Sequence, residues 1–202
     1  MNFDNAWRFR LCGACGIVAP IIAFTCILLA INYAPQFSWT DSALSDLGVA
    51  EGIAAALFNY GLVTSGAMAL IFAAGLFTLL GGKTLGKAGT FFLALTALAL
   101  VSIGIFPENV KPTHYYVSVA FFVLFPVSML IHTVAFLFSN KKRMGLFTLL
   151  VAITAAAPWI LYFTTHFVEG VAIPETVSAV SASAWLIVLG SKMLMYASQS
   201  SR

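Results

Sequence analysis

The chain has 202 residues, 61% of them hydrophobic and 8% charged, with a formal net charge of +3 and a mean hydropathy of +0.98. So apolar a composition excludes a soluble globular domain, and so small a net charge gives no sign of a nucleic-acid partner. Only helices and closed barrels satisfy a backbone in lipid, and segments of alternating polarity are missing, so residues 1–202 read as one all-α, polytopic membrane domain.

Six apolar stretches predict spans near 11–33, 54–80, 88–106, 114–138, 145–167 and 174–196. Each comes close to or exceeds the roughly 20 residues that cross a bilayer as a helix. Arg8 and Arg10 precede the first stretch. The run from Leu11 to Tyr33 is longer than the h-region of about 7–15 residues in a cleaved leader, so a retained helix is expected. Cys12 and Cys15 have redox-motif spacing, but no βαβ pattern or further metal ligand surrounds them. With Gly16, Ala19 and Ala23 they read as small residues for close helix packing, and Gly61, Ser65, Ala69 and Ala73 form a similar stripe on the second span.

Residues 33–52 form the longest break. A short interfacial helix is predicted there, with Thr40 as N-cap and Gly48 as its stop. Trp39, Leu44 and Leu47 would rest against the membrane interface. Asp46 would cap its own turn. Glu108 falls in the break at 107–113, and His114 opens the fourth span. His132 stands about 27 Å further along that helix, too far to share a ligand with His114, and reads as an interhelical hydrogen bond. Lys141, Lys142 and Arg143 read as a cytoplasmic turn and not as a nucleic-acid patch. Thr164-Thr165-His166 precedes Glu169 by one turn, which would put imidazole and carboxylate on one face. Pro174 and Glu175 suit the first turn of the sixth span.

Charge sign alternates between the breaks. Nine of the ten basic residues fall in one set, and six of the seven acids, Asp41, Asp46, Glu51, Glu108, Glu169 and Glu175, in the other; Asp4 and Lys111 are the exceptions. Cytoplasmic loops retain Lys and Arg, so both termini are expected in the cytoplasm and the acidic loops outside the cell membrane.

The outer ends of the spans thus collect Asp46, Glu108, His114, His166 and Glu175, with Ser42, Ser45 and Asn59 nearby. Histidine with carboxylates suits a divalent metal or general acid–base chemistry. The spacings match no metal motif, and nothing specific supports a haem between His114 and His166. The cofactor therefore stays open. Ionisable groups near apolar surroundings are costly unless paired or hydrated, so Asp46 is expected to share an outward-facing pocket with at least one of His114, His166 and Glu175.

Several short motifs carry a family resemblance. Ser45-Asp46-Leu47-Gly48, then Leu57-Phe58-Asn59, Gly61 and Gly66, resemble the opening of the DUF998 membrane-protein family. Gly104-Ile105-Phe106-Pro107-Glu108 with His114 and Phe121-Phe122 is similar to its middle, and Pro174-Glu175 with Trp185 to its close. The Ser-Asp-Leu-Gly turn also resembles the Frag1/DRAM/Sfk1 group of six-span proteins, some linked to lipid-anchor remodelling and membrane organisation. That likeness implies roles for Asp46, Glu108, His114 and Glu175, whereas His166 matches no such pattern. The expected function is binding of a lipid headgroup or small polar ligand by the outer residues, with Trp39, Trp159 and the Phe-rich spans toward acyl chains. A membrane-embedded hydrolase or transferase acting on lipid, with or without a metal, and an assembly subunit without a ligand, are the alternatives. Membrane lipids are the expected partners, and protein partners stay open.

Overall fold

The computed structural model describes residues 3–80 and 84–199, so Lys83 and Arg202 of the charge pattern lie outside the described residues. Among the described residues are six long helices: α1 (Phe3–Asn32), α2 (Ile53–Leu79), α3 (Thr84–Ile105), α4 (Thr113–Phe138), α5 (Lys142–Thr165) and α6 (Ala172–Gln199). All six are long and apolar enough to cross a membrane. A short 3₁₀ helix, Leu44–Val49, interrupts the first connection.

Each helix packs chiefly on its neighbours in sequence, and α6 closes onto α1, so the bundle is a ring in chain order. The successive helices run up and down. The described basic side chains other than Lys111 therefore gather at one end, and the described acidic side chains gather at the other. Exposed aromatic residues ring both ends, with Trp7 and Phe138 at the basic end and Tyr60, Tyr115 and Tyr116 at the acidic end. That is the distribution expected of side chains at the two membrane–water boundaries.

Small residues set the helix spacing. An added Cβ at Gly61 would strike Cys26 and one at Gly75 would strike Cys12, while Ser65 Oγ donates to the Ala19 carbonyl at 2.9 Å. The two small-residue stripes therefore meet across α1 and α2. At the closing seam a Cβ on Gly190 would come within 2.7 Å of the Gly13 carbonyl oxygen of α1.

The connections follow from backbone chemistry. Asn140, with φ +55°, turns the chain after α4. Its N–H reaches the Leu137 carbonyl at 3.1 Å, and the Lys141 N–H reaches Phe136 at 2.9 Å. This pair of bonds satisfies the last carbonyls of α4 within a three-residue turn. His166, with φ +48°, ends α5 in the left-handed region. Its N–H takes the Tyr162 carbonyl.

His132 is fully buried and spans α3 and α4: Nε2 lies 3.2 Å from Thr90 Oγ1, and Nδ1 lies 3.0 Å from the Ser128 carbonyl. It makes the interhelical contact expected of a polar residue inside a bundle. Trp185 packs against it and donates Nε1–H to Thr148 Oγ1 at 3.1 Å.

The first connection departs from expectation. The N-cap of the 3₁₀ helix is Ala43 and not Thr40, whose hydroxyl is engaged by Asp41 at 2.7 Å. Asp46 supplies the capping interaction, accepting the Ala43 N–H at 2.8 Å. Gly48 is not a helix stop either, because the 3₁₀ helix continues to Val49. Its missing side chain leaves room for Asn59, whose Oδ1 would lie 2.7 Å from a Cβ there. Leu44 and Leu47 are 6% and 1% exposed, turned into the bundle and not onto the membrane interface. The physical reason is the packing of the 3₁₀ helix on α1, α2 and α6, which turns these two leucines into an apolar cluster. Trp39, by contrast, is 43% exposed.

Candidate functional site: an acid-lined mouth above an apolar cavity

Three connections meet at the acidic end. The α5–α6 connection is tied to the first one by Gly170 N–H to the Thr40 carbonyl, 2.7 Å, and Ala172 N–H to the Ser42 carbonyl, 2.9 Å. These bonds draw the start of α6 against the 3₁₀ helix. Glu175 then turns inward, 8% exposed, and its Oε2 accepts the Leu44 N–H at 2.6 Å. Its expected place at the helix start holds, but the carboxyl serves a contact 131 residues away in sequence. Asp46 and Glu108 both lie near enough to act on Glu175 electrostatically. The α3–α4 connection contributes Glu108, whose carboxyl abuts that of Asp46 with the Ser45 hydroxyl alongside.

This is an unusual local balance. Glu108 Oε2 is enclosed and lacks a hydroxyl or amide donor. The Asp46 carboxyl beside it raises the Glu108 pKa above the ordinary glutamate range, with burial adding to the effect and Lys111 opposing it. A carboxyl so close disfavours ionisation of Glu108, because like charges at that distance repel. Asp41, on the rim, shows the reverse. The Ser38 and Thr40 hydroxyls donate to its carboxylate and hold it below the usual range, in full contact with solvent.

The raised Glu108 sets the sign of one pH dependence. A folded state that holds the Glu108 proton more tightly than the unfolded chain is favoured most at low pH. That contribution is complete below the ordinary glutamate pKa and is lost as pH rises through the raised value. Melting temperature should therefore fall across that window in the native protein, and Glu108→Gln should flatten the fall. An identical slope in the variant would assign the dependence to another group.

His114 is buried, and its Nδ1 lies 2.7 Å from the Phe106 carbonyl at the end of α3. A contact that short to a carbonyl places the proton on Nδ1, so Nε2 accepts from the Ser118 hydroxyl 3.3 Å away. Ser118 lines the cavity described below, and His114 therefore stands one hydrogen bond behind it. His166 stands apart. It is exposed at the left-handed end of α5, beside the Tyr162 ring. The helix stops at Thr165, so His166 and Glu169 do not share a helical face; both are exposed. Among the described residues, no three His, Cys, Asp or Glu side chains are grouped to hold a metal ion.

Beneath the acids is a cavity of about 110 Å³. It lies between α1, α2, α3, α4 and α6, where the two apolar clusters of the bundle meet. Ile27, Leu62, Ala69, Leu93 and Leu186 give it an apolar wall, while Ser45 and Glu175 stand at its upper end. The volume is below the roughly 300–1,000 Å³ of pockets for drug-sized ligands. Trp159, expected to face acyl chains, is half-buried and donates Nε1–H to Ser178 Oγ at 3.0 Å.

Sequence reasoning did not single out Ser118 or the cavity. The spacing of four between His114 and Ser118 was the available signal for the first. The cavity had none, since its wall consists of ordinary apolar residues. The family described as "Protein of unknown function (DUF998)" matches residues 17–192. No curated protein and no solved structure matches the chain.

Proposed function

We infer that this chain, which belongs to the DUF998 family, acts in the membrane by holding an amphiphilic ligand at the acidic end of the ring. The apolar chain of that ligand occupies the cavity, and its polar end meets Glu175, Ser45, Asp46 and Glu108. The observation that carries this reading is the cavity itself, apolar along its wall yet ending at a buried carboxyl and a hydroxyl. Three carboxyls and a serine favour a head that donates hydrogen bonds or bears positive charge, such as an alcohol or an amine. A bare phosphate is disfavoured there by like-charge repulsion. Because Lys and Arg are retained in the cytoplasm, the acidic mouth opens to the outer side.

Native mass spectrometry of protein gently purified from its own membrane tests the reading. The native chain should carry a lipid-sized adduct of neutral or cationic headgroup, and Ala182→Phe, which sends a ring into the cavity, should lose that adduct without lowering the melting temperature. A native chain free of that adduct, or a variant that keeps it, would remove the proposal. The contact of the Asp46 and Glu108 carboxyls, with Glu108 raised, supports a second reading, a lipid hydrolase or transferase using the pair as acid and base. Turnover of a bound lipid that disappears in Asp46→Ala would favour it.

A further inference from the structure

We propose that the groove at the basic end of the ring binds the phosphate headgroup of an anionic membrane lipid, at a site separate from the acid-lined mouth. The groove measures about 730 Å³ and lies among the ends of α2, α4, α5 and α6. Lys141, Lys142 and Arg143 reach it from the α4–α5 turn, and Lys192 reaches it from α6. All four are exposed, and among the described residues none has a carboxylate partner. The acids whose side chains are described all lie at the opposite end of the bundle. Unpaired cations held together in this way repel one another, and an anion relieves that repulsion.

Several features select a phosphate carried by a lipid. The Arg143 guanidinium is suited to grip two phosphate oxygens at once, while the lysines add point charge. Helix α5 begins in this wall with Lys141 as N-cap and no side-chain cap, so its first-turn amides add partial positive charge. Below the cations the floor is apolar, made by Leu76, Leu79, Phe136 and Leu189. A free phosphate gains nothing from such a floor, whereas the first methylenes of a lipid tail are buried by it. Phe138, next to the same turn, is 82% exposed. That places the groove at the membrane–water boundary, where headgroups lie.

The test uses the full chain in a neutral detergent, offered equal amounts of phosphatidylglycerol and phosphatidylcholine. Native mass spectrometry should show phosphatidylglycerol retained at least tenfold more, which two of the four basic residues would supply at about 1 kcal/mol each. Combining Lys141→Gln, Arg143→Gln and Lys192→Gln should bring the two lipids to parity. Lys87→Gln should leave the preference intact, since Lys87 lies over the Phe77 ring and does not line the groove. If the triple variant does not fold, Lys192→Gln alone, at an exposed position, should reduce the preference measurably. An undiminished preference in either variant overturns the site. Displacement of the lipid by equimolar inorganic phosphate would instead make a soluble anion the occupant and overturn the lipid assignment. Ala182→Phe should not alter the preference, which keeps this result distinct from the fate of the cavity.

Discussion

Gly190→Leu should be the most damaging single substitution described here, lowering stability by at least about 3 kcal/mol. The helix ring is closed by α6 on α1, and at that seam two backbones meet. A Cβ on Gly190 would lie 2.7 Å from the Gly13 carbonyl oxygen and 3.3 Å from the Gly16 carbonyl carbon. Overpacking a core costs roughly 1–3 kcal/mol when side chains can shift aside. Here the obstacle is main chain, held by the hydrogen bonds of a 30-residue helix, and cannot yield without separating the helices. For a chain of this size that loss corresponds to a fall in melting temperature of roughly 6–12 °C. Thermal unfolding in mild detergent is the measurement. A variant within about 1 kcal/mol of the native protein would mean that the seam gives way easily and that closure of the ring depends on other contacts.

The second large effect is all-or-none labelling from opposite sides of the membrane. With Cys12, Cys15 and Cys26 replaced by alanine, Glu169→Cys should react with a membrane-impermeant thiol reagent on intact cells. Lys141→Cys should react only after permeabilisation. Both positions are exposed, so failure to react reports sidedness and not burial. Gly170 would be a poor probe, since any side chain there collides with the backbone of Asp41 and Ser42. The expectation rests on nine of ten basic residues falling in alternate connections. The reverse pattern would turn the molecule over, placing the acid-lined mouth in the cytoplasm and the basic groove outside.

Residues and chemistry divide unevenly between what is local and what is not. The six spans and their alternation are written in the sequence, because a helix in lipid needs only length, apolarity and its own backbone bonds. Boundaries were less legible: α1 begins at Phe3, well before the apolar run from Leu11, because helical hydrogen bonding does not stop where polarity begins. The small-residue stripes were legible for a similar reason, since spacing alone puts Gly61, Ser65 and Ala69 on one helix face. Membership of the DUF998 family followed from short motifs lying mostly in the connections and helix ends.

What tertiary structure decided is which of the polar residues at similar depth meet. Depth fixes height along a bundle but not position around it. The order of helices in the ring, with the backbone bonds from Gly170 and Ala172 to the first connection, brings Glu175 to Leu44 and close to Asp46. The same folding leaves His166 outside, because its left-handed backbone ends α5 short of the mouth. Leu44 and Leu47 read as interfacial residues until α1, α2 and α6 come together to receive them. The cavity and the basic groove are likewise products of that ring. Each is a space between helices distant in sequence, and its walls carry no local mark of facing it.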